Sequence, residues 1–453
     1  MSETAPDTPQ FTPFKTVTSV FEQVLEASTA DETELVWFER RYGVASYPPK
    51  PEDFLERPRL SVLVRVVEGR RQGWYRTETP DANRLESGIR QALALAKTQP
   101  KVKRRPVLPR PKGLDSQLQL VDPELAQLDL AKARELVGSW CVEGSNRGGE
   151  VLQGHFHTSF VQMAIFNSHG LRRRGAATEV SFEARAGEGP GMGRAAGSSR
   201  LLSELAPERI CDRASRRTAE GAPVAAPEGA VKVLLSAEAT IELLNVLNTW
   251  AFASRSYRDG TSFLAKHRNV QVFDRTFDLA EDALRQPGLP FPFDFEGSPK
   301  RPLELITGGQ PSTPALNRYE AAETGLEPTA QAIGGQDSMF GNLFLKPGEA
   351  DDQALLAAAE GGLLVGWLDP PECFDPSQLR FRTVARGVRR IEGGAIGPPV
   401  ADLVWEESLL RAFARLAAVG SETTVRATRS TPMGAIGAPP IVLFESDGFR
   451  PRG

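Results

Sequence analysis

The sequence predicts an α+β fold in two domains. Three observations lead there. The chain has 453 residues, 40% of them hydrophobic and 25% charged, which is enough for two or three globular domains with a substantial core. Its opening alternates one amphipathic helix, β-rich segments and a second amphipathic helix. A short Ala/Pro stretch, Pro223 to Pro227, then separates that half from a remainder rich in short apolar strands.

Residues 1–12 carry acids and prolines and read as an unstructured tail. Phe14 to Ala27 reads as a helix, because Val17, Val20, Phe21, Val24 and Leu25 fall on one face. Glu34 to Tyr47 alternates and reads as a strand. Leu60 to Arg76 does the same around Gly69 and Gly73 and reads as a hairpin. Asp81 to Thr98 is helical, with Leu85, Ile89, Leu93 and Ala96 on its apolar stripe. The Pro- and Lys/Arg-rich stretch 99–115 reads as a solvated linker inside an N-terminal domain spanning 13–222.

Asp129 to Val142 is a further helix. Glu150 to Ile165 and Glu179 to Ala186 are strands, joined through a turn at Phe166-Asn-Ser-His-Gly170. Gly187 to Ser199 is Gly-rich and reads as a mobile loop, and Pro207 to Thr218 closes this half as a helix. The C-terminal domain, 228–453, begins with a strand at Val231 to Leu235. Ser236 is placed to cap the helix that follows, with Glu238 and Glu242 early in it and Ile241, Leu244, Leu247 and Trp250 on one apolar face. A polar loop, Ser254 to Phe263, comes next. A strand is expected at 270–275, a carboxylate-bearing turn at Asp294 and Glu296 with Lys300 or Arg301 as partner, and a strand ending in Gly308-Gly309. Asn317 to Gly341 reads as a long loop or lid. Leu355 to Trp367 reads as helix then strand, Arg380 to Val388 as a strand and Gly393 to Pro399 as a turn before a strand at Leu403. Glu406 to Val419 is expected to be an amphipathic helix, and Gly434 to Phe444 a closing strand.

Composition excludes several classes. A net charge of −4 gives no global electrostatic case for nucleic-acid binding. The three cysteines, Cys141, Cys211 and Cys373, are too few and too widely spaced for a disulfide framework or a zinc ribbon. No apolar run approaches the about 20 residues of a membrane span, and the N-terminus lacks a signal-peptide core, so a cytoplasmic location is expected. There is no Gly-x-Ser-x-Gly elbow, no Walker A and no clean dinucleotide fingerprint. Four histidines are present. His155 and His157 share one face of a strand, a spacing able to chelate a metal, but no local Asp, Glu or Cys completes a set.

The strand–helix–polar-loop stretch 231–263, the Phe-Asn-Ser-His-Gly turn, the Asp294-x-Glu296-Gly297 phrase and the order in which they come resemble the TldD/PmbA family over nearly the whole chain. In that family's peptidase subunit the helix after the strand carries a His-Glu-x-x-x-His zinc motif. The matching window here is Thr240 to Asn245 and contains no histidine, and the region of a later cysteine ligand reads Met433-Gly-Ala-Ile-Gly-Ala. The resemblance is therefore to the PmbA (TldE) branch, also labelled modulator of DNA gyrase. It implies no catalytic residue, no metal and no cofactor on this chain, with zinc on a TldD-like catalytic partner in a heterodimer. It implies proteolysis of unfolded or short peptides, with Arg255, Tyr257, Arg258, Asp259, Asp294 and Glu296 near the substrate channel. A homodimer, a self-sufficient atypical metallopeptidase built around His155 and His157, and a peptide-binding scaffold without a peptidase partner are the alternatives.

Overall fold

The computed structural model describes residues 11–114, 118–148, 152–335, 337–428, 430–431 and 433–452. The expected tail at 1–10 lies outside them, and so does the end of the linker at 115. Phe11 and Thr12 are already docked: the Phe11 ring meets Phe160 at 4.6 Å, and the Thr12 amide donates to Glu39 at 3.0 Å.

Regular alternation builds the first sheet. It has seven antiparallel strands, six of them in the order Arg71–Thr77, Arg59–Glu68, Glu32–Tyr47, Leu152–Asn167, Arg172–Ala186, Gly193–Ser199, with Phe54–Leu55 pairing onto Glu32–Tyr47. Side chains of a strand point alternately to the two faces. Leu35 and Trp37 face the helices Phe14–Glu26 and Ala82–Thr98, while Ala45, Phe156 and Val180 face Leu130–Gly148 and Pro207–Arg216. Glu34, Val36, Phe38, Arg40 and Tyr42 therefore point the other way, toward the C-terminal half. Asp81 caps its helix by accepting from the Arg84 amide at 2.9 Å.

One expectation fails here. The Gly-rich stretch 187–199 is not a loop: Gly193–Ser199 is the edge strand of the sheet, and Gly193 and Gly197 lie close against the Pro207–Arg216 helix, where a larger residue would collide. The 99–114 stretch is largely exposed, as a solvated linker would be, but it is pinned at several points. It is a strap, with Val102 and Leu108 buried, the Val102 amide donating to Arg70, the Arg104 amide to Ala322, and the Leu108 amide to Glu32 at 2.7 Å.

Among the described residues the C-terminal half holds three sheets. The first runs Ala395–Pro399, Arg389–Glu392, Leu363–Val365, Val231–Leu235, Ile441–Ser446, Leu416–Val419. The second runs Gln310–Pro311, Leu303–Thr307, Leu279–Glu281, Asn342–Leu345, Ala435–Ala438, Thr424–Ala427. The third centres on Arg380–Arg386 and Leu403–Ser408. Ser236 caps the helix Ala237–Leu247 as expected, accepting from the Ala239 amide at 3.1 Å and donating to Gly366 O at 2.6 Å. This helix is buried on nearly all sides, so its role is core filling rather than a single apolar stripe.

Ser254–Arg258 is one short helix rather than polar loop, and Arg318–Thr324 is a helix inside the expected lid, closed by a reciprocal cap between Asn317 and Glu320. No strand forms at 270–275; the strand comes later, at Leu279–Glu281. Glu406–Val419 is not one helix. Leu403–Ser408 is a strand, Leu409–Ala412 a single turn and Leu416–Val419 another strand. The apolar spacing matches a helix, but Trp405 and Glu407 are buried in ladder register with Thr383 and Phe381, and that pairing decides. Gly434–Phe444 is two strands in two sheets, broken at Pro439-Pro440, where the missing amides stop a ladder. The whole is the two-domain α+β arrangement expected.

Candidate functional site

The C-terminal half presses the segment Phe291–Phe295 onto the helix-free face of the N-terminal sheet. Phe291 and Phe293 pack on Val161, Met163 and Ile165, and Phe295 meets Phe38 at 5.4 Å. Gly175 lets the two Phe rings approach, since a Cβ there would lie 2.9 Å from each. A groove opens on either side of this wedge.

The first groove encloses about 710 Å³. Val36, Phe38, Leu63 and Trp74 form its apolar side, with Phe295 opposite; Arg76, Arg255, Arg258, Asp259 and Asp337 bring charge to it. Arg255, inside the short Ser254–Arg258 helix, and Asp259, its C-cap, are exposed. Arg258 is held by Glu323 at 2.6 Å and Glu320 at 3.5 Å. Burial pushes the Glu320 carboxyl up to about 7, even though Ser338 donates to it at 2.5 Å.

Beneath the groove lies a buried ion cluster. Arg65 pairs with Glu34, its ladder neighbour, at 2.6 Å, and with Glu296 from the C-terminal half. Glu296 also accepts from the Arg318 amide at 3.1 Å. Asp294 accepts from the amides of Glu296, Ser298 and Ala332 at 2.9 to 3.1 Å. Burial raises the Glu34 carboxyl to about 8 against the pull of Arg65. Burial and the Glu296 charge raise Asp294 to about 7.

The six expected channel residues thus divide. Arg255, Arg258 and Asp259 line the groove. Tyr257 is half-buried and packs on the C-terminal core. Asp294 and Glu296, 1% and 3% exposed, are buried structural carboxylates, and the partner of Glu296 is Arg65, not Lys300 or Arg301. Lys300 instead approaches Glu281, at 4.0 Å. Sequence reading missed Trp74 and Arg76. They sit in register with Arg65 and Leu63, so the hairpin signal contained their shared face, but nothing local showed what faced it.

The second groove, about 960 Å³, lies between the His155/His157 part of the sheet and the loop that follows Thr424–Ala427. The His157 ring meets the Tyr42 hydroxyl at 2.7 Å, and His155 meets Ser46 at 3.5 Å. Burial, aided by Arg185, favours neutral His155. Glu183 is clamped by Arg194 at 2.5 Å and Arg185 at 2.7 Å; although burial opposes it, these cations hold the carboxyl at about 2. No group of three or more His, Cys, Asp or Glu able to hold a metal occurs among the described residues.

At the C-terminal border of this groove stands the Thr240–Asn245 window. Thr240 is buried, and its hydroxyl donates to Ser236 O at 3.0 Å. The Asn245 amide oxygen accepts from Ser430 at 2.7 Å and Thr428 at 3.0 Å. Glu242 pairs with Arg426 at 3.1 Å. Zinc takes imidazole, thiolate and carboxylate ligands in a tetrahedron. A back-bonded Thr, an Asn amide oxygen and a Glu committed to Arg426 do not fit that demand.

An N-terminal sheet is thus laid over a β-rich half, with a wedge and two grooves between them. Residues 124–221 match the PmbA/TldA metallopeptidase central domain and residues 228–446 the PmbA/TldA metallopeptidase C-terminal domain, so the chain belongs to the PmbA/TldD family. Three solved structures share the fold. A modulator of a DNA gyrase from Thermotoga maritima is 17% identical with a TM-score of 0.80, over 96% of this chain and 99% of that one. TldE from Thermococcus kodakarensis is 18% identical with a TM-score of 0.78, over 95% and 98%. A modulator of DNA gyrase from Bacteroides thetaiotaomicron is 18% identical with a TM-score of 0.74, over 95% and 97%. No curated protein matches the chain.

Proposed function

We propose that this chain is the metal-free subunit of a TldD/TldE-type zinc peptidase, working in the cytoplasm on unfolded or short peptides. It completes the substrate chamber and helps select peptide, while a TldD-like partner supplies zinc and the general base. The observation that carries this reading is the Thr240–Asn245 window. Where the family's peptidase subunit needs two imidazoles, Thr240 and Asn245 are engaged in hydroxyl and amide hydrogen bonds with Ser236, Thr428 and Ser430. The likeness to TldE from Thermococcus kodakarensis supports the same branch. No helix among the described residues is long and apolar enough to cross a membrane, and nothing in the charge distribution favours nucleic acid as a partner.

The test is native mass spectrometry of the protein isolated from its own cells, reading mass and metal together. A heterocomplex with zinc only on the partner is expected. Zinc on this chain alone overturns the proposal and reopens the His155/His157 alternative. A metal-free homodimer or monomer with no peptidase partner overturns it in favour of a peptide-binding scaffold.

A further inference from the structure

We infer that the first groove is a binding site for a short peptide with both ends free and an apolar, preferably aromatic, side chain. The choice of a peptide rests on the proposed function; the chemistry of the site does not.

The groove has a small apolar side open to a ligand. Trp74 is 37% exposed there, beside half-buried Phe38 and Phe295. Such a surface binds an apolar side chain by the area it removes from water. The charges around it are unequal in their commitments. Arg258 is already neutralised by Glu323 and Glu320. Arg76 spends its Nε–H on the Ser61 hydroxyl at 2.8 Å and meets no carboxylate among the described residues. Arg255 meets none either, and Asp259 and Asp337 meet no cation among them. The open charges are therefore two guanidiniums and two carboxylates around one apolar patch. A purely anionic or purely cationic ligand would leave half of them unanswered. A zwitterion with an apolar body answers both: its carboxylate to Arg255 and Arg76, its ammonium to Asp259 and Asp337.

This assignment differs from the second groove, where Glu183 is consumed by Arg185 and Arg194, and Glu242 consumes Arg426. Among the described residues the second groove keeps one cation and one carboxylate without an ion partner, Arg40 and Glu179, whereas the first keeps two of each around its apolar floor.

The test is isothermal titration calorimetry of the full chain with Ala-Phe, N-acetyl-Ala-Phe, Ala-Phe amide and the doubly capped peptide. Each cap is expected to weaken binding about tenfold, the size of one charge-assisted contact at a partly exposed site. Arg255→Gln should abolish the penalty of the amide cap and keep that of the acetyl cap. The Asp259→Asn/Asp337→Asn double variant should do the reverse. All three positions lie at the surface of the groove, and unchanged circular dichroism and melting temperature confirm that the variants fold. Equal affinity for free and doubly capped peptide overturns the inference. So does no binding at millimolar peptide, or binding of 3-phenylpropionate as tight as that of Ala-Phe. None of these results touches the subunit reading, which native mass spectrometry decides separately.

Discussion

Arg65 and Glu296 are 231 positions apart, yet their ion pair, with both side chains about 5% exposed, ties the N-terminal sheet to the C-terminal wedge. Glu34 shares the same guanidinium, so one cation serves two carboxylates, with Asp294 as a third nearby.

Burial of these carboxylates, with their mutual repulsion, gives a pH dependence of stability. Glu34 is raised from 4.5 to about 8, and Asp294 from 3.8 to about 7. Between those limits the folded chain holds protons that the unfolded chain has released, so stability falls as pH rises. The melting temperature should decline from pH 5.5 to 8, and Glu34→Gln should flatten the decline. An identical slope in the variant would show that the cluster does not titrate there.

Arg200 is 1% exposed and donates to four main-chain carbonyls, those of Thr178, Leu289, Pro290 and Met433, at 2.9 to 3.1 Å. Arg200→Met fills similar space and strands those carbonyls, and it removes a cation that opposes the burial-driven rise of the half-buried Glu179 carboxyl. A loss of about 3–5 kcal/mol is expected, the usual cost of removing one partner from a buried charged network. A lower denaturation midpoint with an unchanged slope against denaturant checks it.

Glu238 begins the central helix and pairs with Arg217 at 3.0 Å. Burial opposes its charge, but Arg217 and Arg213 hold it at about 2. The resulting stability is present above the unfolded value of 4.5 and is lost as pH falls through the folded one. Glu238→Gln should cost about 2–3 kcal/mol at pH 7. The gap from the native chain should narrow below pH 4.5 and close as pH approaches 2, as thermal melts across pH will report.

Gly73 sits where the hairpin crosses the Ala82–Thr98 helix, and a Cβ there would lie 1.9 Å from Ala92 O. Gly73→Ala should cost about 3 kcal/mol, because only backbone movement relieves the clash. Gly69, in the open turn of the same hairpin, has φ +58° and a Cβ would meet nothing within 4 Å. Gly69→Ala should cost only about 1 kcal/mol, the price of a left-handed backbone for a residue with a Cβ. Chemical denaturation of the pair separates the two causes.

The N-terminal sheet was legible because its alternation is long: Leu35 and Trp37 go one way, Val36 and Phe38 the other. The Ser236 cap was legible for a similarly local reason. The Asp294-x-Glu296-Gly297 phrase was found by resemblance, but its role was hidden, since Arg65 comes from the far side of the sequence. Leu409, Leu410, Phe413 and Leu416 carry a helical spacing that ladder pairing overrides. The strap at 99–114 reads as solvent-loving by composition. Arg70, Glu32 and Ala322, all distant in sequence, accept from its amides.

The position of Val231–Leu235 has a consequence for how the chain is made. Its two neighbours in the sheet are Leu363–Val365, in parallel, and Ile441–Ser446, antiparallel. At about 5–20 residues per second on the ribosome, this strand waits roughly ten seconds or more for its second neighbour. Until then its apolar edge has no native partner, and during synthesis the C-terminal half depends on whatever shields that edge in the cell.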